Sequence, residues 1–185
     1  MTDRRRFLSC GLAVSAGACL LAGGASKVQA DVPELVDRTL RLVNAHTWEK
    51  QDITYCVKGN YDADSLGQIN YLMRDHRRNV ATSMDVNLLD TLVRLHASLE
   101  TDEAIHVLSG YRTPETNAAL RKQSLGVAKF SLHMSGKAAD IYIPGIATRT
   151  LQEAALAMQA GGVGYYGKSG FVHIDSGRIR HWERG

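Results

Sequence analysis

The apolar positions change period several times along the chain, and each change marks an element. Leu40 and Leu42 alternate with polar neighbours, as do Ile53, Tyr55 and Val57, with a polar turn between the two runs. Period-two patterning of this kind predicts a β-hairpin. Residues 62–73 carry Leu66, Ile69, Leu72 and Met73 at helical spacing, with Asp62 or Asp64 as the N-cap. Asp85 opens a second helix whose broad apolar face is Leu88, Leu89, Leu92, Leu95 and Leu99, with His96 packed on it or at its edge. A short β-run at 104–108 meets Ser109-Gly110-Tyr111-Arg112, and Thr113 then caps a helix with Pro114 at its first position, ending near Gln123. A strand at 139–143 stops at Pro144-Gly145, and a helix at 148–160 closes at Gly161-Gly162. Three short strands follow, around 163–166, 171–174 and 178–182. Helices come first and an antiparallel-looking sheet dominates the end, so the expected class is α+β, a small antiparallel sheet packed against several helices in one domain.

The front of the chain follows another pattern. Arg4, Arg5 and Arg6 precede an uncharged run at 7–25 rich in Ala, Gly and Leu, and Val28-Gln29-Ala30 places small residues one and three positions before Asp31. These are the marks of a signal peptide over residues 1–30, cut before Asp31, leaving a domain at 31–185 without stable membrane insertion. Arg4-Arg5-Arg6-Phe7-Leu8 resembles a twin-arginine signal, with a Sec signal as the alternative. The expected destination is the periplasm. Removing the leader's four basic residues and one acid from the chain's 22 and 19 leaves 18 of each. The formal charge of +3 therefore belongs to the leader, and attraction to nucleic acid has no support. The one dense basic spot, Arg74, Arg77 and Arg78 beside His76, reads as a solvated helix end. Of the cysteines, Cys10 and Cys19 fall in the leader, and Cys56 alone remains, in a strand-like apolar run that predicts a buried thiol.

Chemistry concentrates at Ser131-Leu132-His133-Met134-Ser135-Gly136-Lys137-Ala138-Ala139-Asp140 and at Phe171-Val172-His173-Ile174-Asp175. A catalytic zinc site takes three nitrogen or carboxylate ligands and keeps a position for water. His133, Asp140 and His173 supply such a set if the chain doubles back at Gly136 and His173 arrives on a neighbouring strand. Asp175, two residues on, faces the same side of that strand, either as a general base or as a group orienting a ligand histidine. His181 is a weaker candidate for the base.

The pattern Ser-x-His-x-x-Gly-x-Ala-x-Asp at 131–140 with His-x-Asp at 173–175 resembles the zinc motif of the D-alanyl-D-alanine metallopeptidases, whose fold core is shared with lysostaphin-type enzymes and the hedgehog signalling domain. Ser109-Gly110-Tyr111-Arg112-Thr113-Pro114 with Asn117 matches another stretch of that family. Asp75-His76-Arg77, Gly161-Gly162-Val163-Gly164-Tyr165-Tyr166 and Gly177-Arg178 are most similar to the YcbK-like murein endopeptidases, a resemblance spanning nearly the whole mature chain. It implies one zinc on His133, Asp140 and His173, hydrolysis of peptide cross-links in peptidoglycan, Arg112 meeting the charge of the tetrahedral intermediate, and contacts to the peptide from Ser131 and Tyr111. The bland role for Arg112 is a pair with Glu115. Some relatives carry a carboxylate or a histidine just before the last ligand, where this chain has Gly170 and Phe171. Their loss suits a second possibility, a murein-binding module that has lost hydrolysis. A third, a dipeptide carboxypeptidase, would need insertions to wall off a pocket, and the chain has few.

Overall fold

The computed structural model describes residues 36–124 and 126–184, so the leader lies outside the described residues. The first hairpin is β1 (Arg38–Asn44) and β2 (Lys50–Val57), followed by the two-residue β3 (Asn60–Tyr61). Helices α1 (Ala63–Leu72) and α2 (Val86–Ser98) come next, then β4 (Ile105–Ser109) and α3 (Pro114–Gln123). The remainder is β5 (Ala138–Tyr142), α4 (Thr148–Ala157), β6 (Gly162–Tyr166), β7 (Phe171–Asp175) and β8 (Arg180–Arg184). The class is α+β, as the element order predicts. The caps are those the sequence offers: the side chains of Asp62, Asp85 and Thr113 accept from Ser65, Asn87 and Thr116 amides at the starts of α1, α2 and α3.

The sheet is larger than the run of late strands suggests. All eight strands join in the order β3-β2-β1-β4-β5-β7-β6-β8, mostly antiparallel, with β1–β4 and β6–β8 parallel. Local alternation reveals a hairpin but not its long-range partner, and β1 finds β4 only after two helices have crossed the sheet. Two late boundaries also shift: α4 ends at Ala157, and the last strand is Arg180–Arg184.

Cross-strand register divides the sheet into two faces. Leu42 opposes Ile105, Val107 opposes Ile141, Ile141 opposes Val172 and Ile174 opposes Val163, and all are buried. This face takes α1, α2 and α4, whose buried side chains Ile69, Leu72, Leu88, Leu92, Leu95 and Leu151 complete the core. Cys56 sits in the same core as a free thiol. The alternate residues, Asp140, His173, Gly164 and Trp182, oppose one another in succession on the other face. Functional side chains thus lie on a rigid sheet whose back is packed.

The basic spot near residue 74 is divided: Arg77 and Arg78 are exposed, as a solvated end requires, whereas Arg74 is not. Arg74 is buried, donates to Glu49 Oε2 at 2.7 Å and to Asn79 Oδ1 at 2.7 Å, and stacks on Tyr71. His96 bonds the Glu103 carbonyl at 2.7 Å.

Candidate metal centre

His133 sits in a 3₁₀ turn (Leu132–Ser135) that ends at Gly136, whose φ of +67° is the left-handed value that lets the chain reverse into β5. A Cβ at Gly136 would stand 2.3 Å from the Ser83 carbonyl oxygen, so the turn has no room for a side chain. Asp140 on β5 is directly opposite His173 on β7. The ligand atoms of His133, Asp140 and His173 come within 4.8 Å of one another, and all three residues are buried.

Three contacts define the cluster: His133 Nε2 to His173 Nδ1 at 3.2 Å, His133 Nε2 to Asp140 Oδ1 at 3.3 Å, and His173 Nδ1 to Asp140 Oδ1 at 2.8 Å. The edge of a tetrahedron around an ion with bonds of about 2.0–2.1 Å is about 3.3 Å, close to this triangle. The outward nitrogens fix the tautomers. His133 Nδ1 donates to the Gly110 carbonyl at 2.7 Å, and His173 Nε2 donates to Asp175 Oδ2 at 3.0 Å. Each inward nitrogen of a neutral ring then presents a lone pair, and with Asp140 Oδ1 three acceptors converge on one point. A cation resolves that repulsion, and a carbonyl and a carboxylate behind the histidines are the usual supports of metal-ligating imidazoles. The residues fit a metal.

The protein charges around the point are matched in the same way. Burial pushes the Asp140 carboxyl up, but His133 and His173 outweigh it and hold it well below the usual carboxylate range. Burial lowers the pKa of His133, while at His173 the carboxylates of Asp140 and Asp175 overcome burial and raise it. The Arg112 guanidinium pairs with the second oxygen of Asp140 through Nη2, and its Nε donates to Ser109 Oγ at 2.7 Å. Arg112 is therefore tied to the cluster rather than to Glu115.

The Arg112 loop is held from below. A Cβ at Gly110 would lie 2.3 Å from the Met73 carbonyl oxygen, and the Tyr111 amide donates to that oxygen at 2.8 Å. The buried Asp75 accepts from the Thr113 amide at 2.9 Å and hydroxyl at 2.8 Å. Burial pushes its carboxyl up, but hydrogen bonds from Thr116, Thr113 and the Arg77 amide outweigh this and lower its pKa.

A cavity of about 580 Å³ opens over the cluster, lined by His133, Asp140, His173, Arg112 and Ser131, and by Phe130, Tyr166, Phe171, Arg180, Trp182 and Arg184 among others. Ser131 thus lines the space over the cluster. Tyr111 is absent from the lining, and its partly buried side chain packs against the core. His181 is also displaced, since it opposes core-facing Val163, on the helix side of the sheet. Among the described lining residues, Asp140 is the sole carboxylate.

Asp175 is fully committed. Oδ2 accepts from His173 Nε2 and from Arg180 Nη2 at 2.6 Å, and Oδ1 accepts from the amides of Gly162 at 3.1 Å and Gly177 at 2.9 Å and from Arg180 Nη1 at 3.0 Å. A carboxylate offers about four lone-pair sites. Burial raises its pKa, but His173, Arg180 and the Gly177 amide prevail and hold it far below the ordinary range. These contacts leave no lone pair for a proton arriving from the cavity, so the geometry favours an orienting group over a base.

Arg180 and Trp182 are functional neighbours that the motif reading missed. Arg180 grips Asp175 and lies over the Trp182 ring at 5.2 Å, and that ring is 5.2 Å from His173. Gly164 makes this possible, since a Cβ there would meet the indole at 2.5 Å. The pairing of β8 with β6 was the missing signal, because it alone puts Trp182 in line with His173.

Residues 33–182 match the family described as peptidoglycan L,D-endopeptidase MepK. The chain is 42% identical over 180 residues to the peptidoglycan L,D-endopeptidase MepK of Escherichia coli K12 and to that of Shigella flexneri, covering 97% of each chain in both cases. It is 36% identical over 182 residues to the "Probable peptidoglycan L,D-endopeptidase MepK" of Haemophilus influenzae, covering 98% of this chain and 96% of the relative. No solved structure matches the chain significantly. With the family model matched over residues 33–182 and relatives at 42% identity aligned over nearly the whole length, the chain belongs to the peptidoglycan L,D-endopeptidase MepK family.

Proposed function

We propose that this chain is an exported, zinc-dependent endopeptidase that hydrolyses peptide cross-links of peptidoglycan between L- and D-configured centres. The observation that carries the metal is the convergence of three acceptors on one point, His133 Nε2, His173 Nδ1 and Asp140 Oδ1, at spacings of 2.8–3.3 Å. Two imidazoles and one carboxylate suit zinc. The bond class comes from the relatives' names.

When bound, zinc would polarise the scissile carbonyl and lower the pKa of a water beside it. The chain's own residues do the rest. His133 and His173 are held in single tautomers by the Gly110 carbonyl and Asp175, so their lone pairs stay aimed at one point. Arg112, anchored on Asp140 and Ser109, sets a permanent positive charge at the cavity wall where the carbonyl oxygen gains charge. Ser131 and the aromatic wall of Tyr166, Phe171 and Trp182 position the stem peptide.

The absence of a second carboxylate among the described lining residues favours one other reading, a murein-binding module that keeps the metal without hydrolysis. Purified protein incubated with intact sacculi separates the two. The endopeptidase releases muropeptides, stops with a chelator and resumes with zinc, and His133→Ala, Asp140→Ala or His173→Ala removes the metal by elemental analysis. Tight binding with no fragments at any metal level establishes the binding module, and full metal occupancy after two of the substitutions removes the site.

A further inference from the structure

Helix α2 carries Asn87, Asp90, Thr91 and Arg94 at a spacing of three and four residues, which sets them along one side of the helix beside its buried leucines. With Arg38 of β1 and Ser176 just after β7, they line a second cavity of about 380 Å³. It shares no lining residue with the cavity over the His133–Asp140–His173 cluster, and it lies on the helix-packed side of the sheet. Its lining holds two guanidinium groups against one carboxylate, which leaves one positive charge over.

The hydrogen bonds around this cavity leave donors in excess. Asp90 is matched: Oδ1 accepts from the Tyr55 hydroxyl at 2.7 Å, and Oδ2 from Arg38 Nη1 at 2.7 Å and the Tyr61 hydroxyl at 2.9 Å. Thr91 and Ser176 have committed their hydroxyl hydrogens to the Asn87 carbonyl at 2.7 Å and to Asp85 Oδ2 at 2.9 Å. Asn87 Nδ2 gives one hydrogen to Asp85 Oδ1 at 3.0 Å and keeps the other. Arg94 forms no ion pair among the described residues, and its guanidinium makes only a long bond to Thr91 Oγ1 at 3.5 Å. Nε of Arg38 and Nε of Arg94 are both buried without a partner, two of four such side-chain atoms among the described residues. Folded proteins rarely leave buried nitrogens unmet. The cavity is short of acceptors.

The two arginines come from different elements, so each presents its own planar fork of N–H groups. A carboxylate has a single edge for such a fork, whereas a tetrahedral phosphate has several edges and accepts two forks at once. We propose that Arg38 and Arg94, with the remaining amide hydrogen of Asn87, form a binding site for a phosphate group on the helix side of the sheet. The site does not depend on the endopeptidase reading. Inorganic phosphate and a phosphate monoester share this chemistry.

The test is calorimetric titration of inorganic phosphate, glycerol 3-phosphate and acetate at fixed ionic strength into the zinc-loaded protein, Arg94→Gln and His133→Ala. The native protein should bind one phosphate group per chain, about 10-fold or more tighter than acetate. Arg94→Gln should weaken phosphate by about 10- to 100-fold, the range of a hydrogen bond to a charged group. His133→Ala should bind phosphate as the native protein does, because the metal centre takes no part. Arg94→Lys keeps the charge and loses the fork, so its affinity should fall between native and Arg94→Gln, and it supplies the comparison should Arg94→Gln not fold. Tighter binding of glycerol 3-phosphate assigns the site to an ester, tighter binding of inorganic phosphate to the free anion, and either upholds it. Binding undiminished in Arg94→Gln or Arg94→Lys, or lost in His133→Ala, overturns the site. So does acetate binding as tightly as phosphate, or no saturable phosphate binding at all.

Discussion

Replacing Asp175 by Asn changes one oxygen to an amide nitrogen in a site where every neighbour is a donor. The carboxylate receives His173 Nε2, the Gly162 and Gly177 amides and two Arg180 nitrogens. Asparagine keeps its one oxygen on the two backbone amides most cheaply, which turns its NH₂ toward His173 and Arg180. His173 then relieves the donor–donor clash by moving its proton from Nε2 to Nδ1, the nitrogen that faces Asp140 and His133. Metal binding must reverse that move. The expected loss is about 10- to 100-fold in zinc affinity, or about 1.4–2.7 kcal/mol. Arg180 also loses a buried charged partner, for which we expect about 1.5–3 kcal/mol of stability. Competition with a chromophoric chelator measures zinc affinity, and kcat is taken at saturating zinc, where an orienting residue gives back most of the rate. Unchanged zinc affinity with nearly complete loss of kcat at saturating zinc would refute this reasoning and make Asp175 the base.

Three other outcomes are expected. Arg112→Ala should keep fold and one zinc at saturating metal while kcat falls about 10²- to 10³-fold, the cost of one charge-stabilising donor; a variant with normal kcat would deny Arg112 that role. Asp75→Asn should lose about 2–3 kcal/mol at pH 7 in urea unfolding, because Thr113 loses its charged acceptor. The Asp75 pKa is lowered on folding, so its contribution is complete above the unfolded value of about 3.9 and disappears as pH falls through the folded value. The gap between native protein and Asp75→Asn should therefore narrow on acidification, and a gap that widens would contradict the sign. Arg4→Lys with Arg5→Lys should block maturation in cells, and normal processing to an Asp31 N-terminus would indicate the Sec route.

The centre was legible wherever its residues lie close in sequence or on strands with clear alternation. His133, Gly136 and Asp140 form one turn and strand, and His-x-Asp at 173–175 fixes two residues on one face of β7. The role of Asp175 was only half legible, since its partners Gly162 and Arg180 come from neighbouring elements and the sequence pattern has no period that joins them. The same limit hid the anchoring of Arg74 on Glu49 and the contact of Trp182 with His173. Tyr111 is the reverse case, a motif residue whose neighbour Arg112 lines the cavity while its own side chain packs against the core. The α+β class followed from element order, but the full sheet depends on the parallel pairing of β1 with β4, which local alternation does not encode.

The Gly110–Tyr111 peptide group carries a consequence beyond packing. Its N–H donates to the Met73 carbonyl at the end of α1, and its C=O accepts from His133 Nδ1. The two bonds run in series through one amide, so each polarises the other. The negative end of the α1 dipole thereby drives electron density through a single peptide unit into the imidazole. That makes His133 Nε2 a stronger electron donor than a solvent-facing histidine, and the capping residue of a distant helix would thereby tune the Lewis acidity of a metal held there.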